Sequence, residues 1–79
     1  MPSYLVELYM PTSSAERRAE LVRAARGAGA GARYLRTIFL AEEETCFHEY
    51  ESASRELLGA ALAGAGLDYE RLIETEVAQ

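Results

Sequence analysis

The sequence predicts one α+β domain in which a strand-helix-strand unit occurs twice, in the order β-α-β-β-α-β. Three observations predict it. The chain has 79 residues, enough for a single domain. Two stretches join a capping serine to apolar residues at helical spacing. Four others alternate large apolar side chains with polar ones, the period of a strand.

The first strand runs from Ser3 to Met10. Tyr4, Val6, Leu8 and Met10 share one face, and Leu5, Glu7 and Tyr9 the other. Pro11 ends it. Ser13, followed by Glu16, reads as a capping box opening a helix over Ala15 to Ala28. Its apolar stripe is Ala15, Ala19, Val22 and Ala25, with Leu21 beside it. The stretch Gly27-Ala28-Gly29-Ala30-Gly31 closes the helix. It follows a helix and contains no Lys, so it reads as a loop rather than a phosphate cradle.

Tyr34 to Leu40 is the second strand and Thr45 to Glu51 the third. The link Ala41-Glu42-Glu43-Glu44 is short enough for a hairpin, its glutamates a solvated turn. Ser52 or Ser54 caps a second helix over Ala53 to Ala63, with Leu58, Ala61, Leu62 and Ala65 as its buried stripe. Gly64 and Gly66 close it, and Leu67 to Arg71 is a connection. The last strand is Leu72 to Val77, with Ile73, Thr75 and Val77 on one face.

Right-handed crossovers and a central hairpin make this the ferredoxin-like arrangement, a four-stranded antiparallel sheet with both helices on one face. Strands one and three lie side by side in the middle. About 60% of the surface is buried on folding at this size, so the core is thin. Fourteen Ala and six Gly thin it further, because the helices have little bulk to bury. Aromatic and aliphatic residues occur on both faces of the strands. Packing the bare faces of two copies together, as a dimeric α/β barrel, supplies the missing core, so a homodimer is expected.

Composition excludes several classes. A net charge of −5 disfavours nucleic acid. The single Cys rules out an internal disulfide and a Cys-based zinc module. No apolar run reaches the ~20 residues that cross a membrane. Met-Pro-Ser-Tyr does not resemble a signal peptide, so the expected location is cytoplasmic.

Few groups can carry chemistry. Glu7 falls in a central strand on the face away from the helices, where burial would favour an acid-base role; a structural pair with an Arg is the competing reading. Strand three, Cys46-Phe47-His48-Glu49-Tyr50-Glu51, has two possible phases. With Cys46, His48 and Tyr50 beside Glu7, the set is imidazole, carboxylate and phenol. With Phe47, Glu49 and Glu51 beside it, two carboxylates meet. Cys46 reads as a small buried hydrophobe rather than a nucleophile. Arg36 would hold an anionic ligand or neutralise Glu7 or Glu74. Tyr9, Tyr34, Phe39, Phe47 and Tyr50 would line a pocket for a flat apolar ligand, or simply fill the core. Glu7, Glu49, Glu74 and His48 have no diagnostic metal spacing, although two copies could pool such ligands.

Tyr4-Leu5-Val6-Glu7, Tyr34-Leu35-Arg36, Glu44-Thr45-Cys46-Phe47 and Ala65-Gly66-Leu67 together resemble a group of small, mostly uncharacterised ferredoxin-like proteins with a nickel-binding branch. The resemblance runs from Tyr4 to about Val77. It implies the dimeric fold and divalent-metal binding. Two stretches depart from it. The family follows Cys-Phe with Cys-Leu-Phe-Glu, where this chain has His48-Glu49-Tyr50-Glu51. Its Pro-Glu-Asp-Glu hairpin is here Ala41-Glu42-Glu43-Glu44. No nickel ligand carries over residue by residue, and none is assigned.

The function expected is a small cofactor-independent enzyme of specialised metabolism. It would act on an apolar or aromatic molecule by acid-base chemistry (isomerisation, cyclisation, dehydration or oxygenation), with Glu7, His48 and Glu49 as the catalytic groups. The alternatives are a non-catalytic nickel or other divalent-metal binder, and a dimeric ligand-holding module. The partners expected are a small molecule and a second copy, without nucleic acid or membrane.

Overall fold

Period-two alternation builds the sheet. A computed structural model of the chain describes residues 1–11 and 14–76. The elements in order are β1 (Ser3–Tyr9), α1 (Ala15–Arg26), β2 (Arg33–Leu40), a 3-10 turn (Ala41–Glu43), β3 (Thr45–Glu51), α2 (Arg55–Gly64) and β4 (Arg71–Glu74). The sheet order is β2-β3-β1-β4, and each neighbouring pair is antiparallel. This is the ferredoxin-like arrangement, with β1 and β3 at the centre as expected.

Both helices cover one face. Tyr4, Val6 and Tyr50 from the sheet pack with Ala25, Ala28, Leu58 and Leu62. Met10, Leu21 and Cys46 form a second cluster, flanked by Leu8 and Phe39. Alanines let α1 lie close to the sheet: the Tyr50 hydroxyl donates to the Ala25 carbonyl at 2.7 Å, and both residues are fully buried. Ala25 lies in the last turn of α1, where its carbonyl accepts a long 3.4 Å bond from the Ala28 N–H, so the phenol supplies the second donor without disturbing the helix.

The helix ends differ from expectation. Ser14 caps α1, its side chain accepting from the Arg17 N–H at 3.1 Å. The expected cap, Ser13, lies outside the described residues. The helix stops at Arg26 rather than Ala28: the Gly27 N–H is shared between the Arg23 and Ala24 carbonyls, and the Ala28 N–H then bonds Ala25 O, three residues back, instead of continuing the ladder. Its buried residues are Leu21 and Ala25, whereas Ala15 and Ala19 are exposed. A methyl group buries little, so the one large aliphatic, Leu21, sets which side turns inward. Ser54 caps α2 by accepting from the Leu57 N–H. Leu58 and Leu62 are buried as expected, while Ala65 is exposed.

The strands differ at two places. β4 begins at Arg71, which pairs with Glu7, so that residue belongs to the sheet rather than to a connection. β4 also ends at Glu74, so Thr75, expected within the strand, lies beyond it; the expected last residue, Val77, lies outside the described residues. In β2 the register slips between Tyr34 and Arg36. This bulge leaves Tyr34 on the helix side and turns Arg36 to the open side. The hairpin from β2 to β3 closes through Glu44, whose φ of 51° is left-handed. Its N–H donates to Ala41 O. Glu42, Glu43 and Glu44 are all exposed, as a solvated turn requires.

Candidate functional site

The sheet face away from the helices is the candidate site. Two rows of residues cross its centre. One runs Arg36, Glu49, Leu5, Ile73 from β2 to β4. The next runs Ile38, Phe47, Glu7, Arg71. Each row holds one Arg–Glu pair and one apolar pair, and their positions are exchanged between rows. A two-fold rotation about the Val6–His48 pair, normal to the sheet, maps Glu7 onto Glu49, Arg71 onto Arg36, Leu5 onto Phe47 and Ile73 onto Ile38. The two chain halves thus present the same chemistry twice.

The ion pairs match in distance and exposure, although only the Arg71–Glu7 contact also meets hydrogen-bond geometry. Arg71 Nε lies 2.6 Å from Glu7 Oε1, with side-chain exposures of 65% and 21%. Arg36 Nε lies 2.6 Å from Glu49 Oε1, with exposures of 66% and 18%. The carboxylates are half-buried against the apolar residues, and the guanidinium groups lie outermost. The Arg71 guanidinium is held above its already high range by the Glu7 carboxylate. A third pair, Arg33 with Glu51 at 2.7 Å, extends the pattern toward one end of the sheet.

At the other end of β1 the face opens into a cleft of about 580 Å³ lined by Glu7, Leu8, Tyr9, Thr45, Glu70 and Arg71. It forms because β4 pairs with β1 only as far as Glu7, so Leu8 and Tyr9 run past it. The Tyr9 ring is 64% exposed. Its hydroxyl donates to Glu44 Oε2 at 3.1 Å, and this bond to a carboxylate raises the phenol above its ordinary range.

Strand three takes the second of its two phases. Cys46, His48 and Tyr50 are buried under the helices, and Phe47, Glu49 and Glu51 face the open side. Glu7 therefore meets Glu49's side of the strand and not His48. His48 is only 1% exposed. Its Nδ1 lies 2.8 Å from Thr37 Oγ1, which lies 2.6 Å from the Tyr34 hydroxyl. Nε2 has no hydrogen-bond partner among the described residues. Burial lowers its pKa to about 4, so the ring is neutral at pH 7. Burial also pushes the Cys46 thiol up to about 11, and the Tyr50 phenol well above its usual range. A thiol with so little thiolate is a poor nucleophile.

Of the expected site residues, Glu7, Tyr9, Arg36, Phe47 and Glu49 share the open face. His48, Tyr34, Phe39 and Tyr50 lie on the helix side. There Tyr34 packs edge-on to Tyr50, and the guanidinium groups of Arg26 and Arg18 cover the Tyr34 and Phe39 rings at 5.5 and 5.0 Å. The sequence reading missed Arg71, Thr45 and Glu70. Carrying the alternation of Ile73 and Thr75 two residues back would have put Arg71 on the same face. Among the described residues no three of His, Cys, Asp and Glu gather as metal ligands. No described helix is long and apolar enough to cross a membrane.

No family model, curated protein or solved structure matches the chain.

Proposed function

We propose that the chain is a self-associating, small-molecule-holding module. Two copies pack their open sheet faces together as a dimeric α/β barrel. An apolar or aromatic small molecule lodges at the rim, in the cleft beside Glu7, Tyr9 and Arg71. One observation carries this reading: Leu5, Ile38, Phe47 and Ile73 lie on the side of the sheet that no helix covers. Burying such a surface against a second copy stabilises it. The charges on that face are already paired within one chain, which lowers the cost of removing water from them. The proposed setting is the cytoplasm, where a lone thiol such as Cys46 stays reduced.

The test is the mass in solution. Light scattering is expected to give about twice the chain mass of 8.7 kDa. A value near 8.7 kDa up to high micromolar concentration overturns the reading.

A second reading is favoured by Glu7 and Tyr9 sharing one cleft. Here the dimer is an enzyme that moves a proton on its apolar ligand, with Glu7 as the base and Glu49 as its counterpart on the same face. Its check is deuterium uptake from D2O into an apolar aromatic ketone. Uptake that persists in Glu7→Gln removes Glu7 from the chemistry.

A further inference from the structure

The two ion pairs of the open face both leave bonding capacity over. Each arginine approaches its own glutamate most closely through Nε, as a hydrogen bond from Arg71 to Glu7 and as an ion pair between Arg36 and Glu49. That contact leaves the end-on fork of the guanidinium, its two terminal nitrogens, for another acceptor. Each carboxylate has about four lone-pair directions, so it too keeps room for a second donor. One pair thus presents a donor edge and an acceptor edge together, and the pseudo-two-fold repeats that arrangement on the other half of the sheet.

A surface with equal numbers of donor and acceptor edges is complementary to itself. We propose that these pairs interlock two copies of the chain: the forks of Arg36 and Arg71 in each copy take the Glu7 and Glu49 carboxylates of the other. This rests on the self-association proposed above and specifies its partner-recognition groups. The apolar residues of the face supply area but little direction. The interlock supplies direction. Sliding one sheet over the other by a row sets guanidinium groups over Ile and carboxylates over Leu or Phe, which buries charge without a partner. Setting like over like juxtaposes charges of one sign. The correct register alone satisfies both edges, so the same four residues attract the right docking and oppose wrong ones.

Two double variants of the full chain test this. Arg36→Gln with Arg71→Gln keeps only the acceptor edges; Glu7→Gln with Glu49→Gln keeps only the donor edges. Sedimentation equilibrium on each, and on their equimolar mixture, reads the association. Each variant alone is expected to self-associate at least ~10-fold more weakly than the unaltered chain. The mixture, in which forks again meet carboxylates, is expected to associate more tightly than either component. A wild-type-like dimer from both variants, or a mixture no tighter than its parts, overturns the interlock while the unaltered chain's dimer mass leaves the self-association standing. A monomeric unaltered chain overturns both. Far-UV circular dichroism checks the fold. If a double variant unfolds, the single variants Arg36→Gln and Glu49→Gln are read in the same way.

Discussion

Nδ1 of His48 and Oγ1 of Thr37 lie 2.8 Å apart on the helix side of the sheet, in a chain that continues to the Tyr34 hydroxyl. The ring is almost fully buried, and its pKa falls from 6.5 to about 4. Opposite it is Val6. Cys46 and Tyr50 flank it on β3, both with raised pKa values and so uncharged near neutral pH. On this side of the sheet Arg18 and Arg26 of α1 cover rings of β2. Among the described residues no carboxylate forms an ion pair with the ring.

Stability is therefore expected to depend on pH through this ring. The folded pKa lies below the unfolded one, so the unfolded chain takes up the proton first. His48 contributes its full stability above about pH 6.5 and loses it progressively as pH falls toward 4. The total is about 3 kcal/mol, taken as an order of magnitude. Urea melts at pH 7 and 4.5 measure it. His48→Gln is expected to flatten the dependence. A His48 resonance that titrates near 6.5 in the folded protein would sink the prediction.

The bond from Tyr50 to Ala25 O joins the sheet to α1 at a fully buried point. Tyr50→Phe is expected to cost about 1 kcal/mol, since the carbonyl keeps its long bond from the Ala28 N–H but loses the phenol. The urea midpoint is the measurement, and an unchanged midpoint refutes it.

Ser54 accepts the Leu57 N–H at the start of α2. Removing that acceptor in Ser54→Ala is expected to destabilise the fold by about 1 kcal/mol. A conservative Ser54→Asp is expected to recover it. Thermal unfolding compares the three, and equal stability of all of them excludes the capping role.

The Tyr9 phenol is raised because it donates to Glu44. Glu44→Gln is expected to shift the Tyr9 titration down toward the ordinary value, because a carboxylate next to a developing phenolate is replaced by a neutral amide. Ultraviolet or NMR titration of Tyr9 reads it. An upward shift, or none, contradicts the contact.

Phe47 lies half-buried between Ile38 and Glu7 on the open face. Phe47→Ser is expected to abolish self-association while leaving the single-chain fold, because Phe47 lies outside both buried clusters under the helices. A mass that stays at twice 8.7 kDa counts against the sheet face as the contact.

Much of the architecture was legible in the sequence because large side chains alternate so cleanly. Tyr4 and Val6 against Leu5 and Glu7 gave the faces of β1, and the crossover rule then set the strand order. β3 was not legible in that way. Cys46, His48 and Tyr50 on one side, and Phe47, Glu49 and Glu51 on the other, each mix apolar with polar groups. The choice is made by tertiary partners: Ala25 for the Tyr50 hydroxyl, and Thr37 for His48. Periodicity cannot see either. The α1 stripe was misphased for a related reason. Alanines scarcely mark a face, and Arg18 and Arg26 lie over aromatic rings rather than pointing away from the sheet. Glu7 lies on its expected face, but Arg36, expected to neutralise Glu7 or Glu74, pairs with Glu49 instead; the partner of Glu7 is Arg71, which comes 64 residues later in a strand only four residues long.

The bulge between Tyr34 and Arg36 has a consequence for assembly in bulk. An open sheet has two edges, and unguarded edges let chains add side by side without limit, the route to ribbons and fibrils. Here the outer edge of β2 is broken in its first half by that irregularity, and the opposite edge is only the four residues of β4. Neither offers a long straight template for endless growth. A chain this rich in exposed strand chemistry is thereby steered toward assemblies that close on themselves.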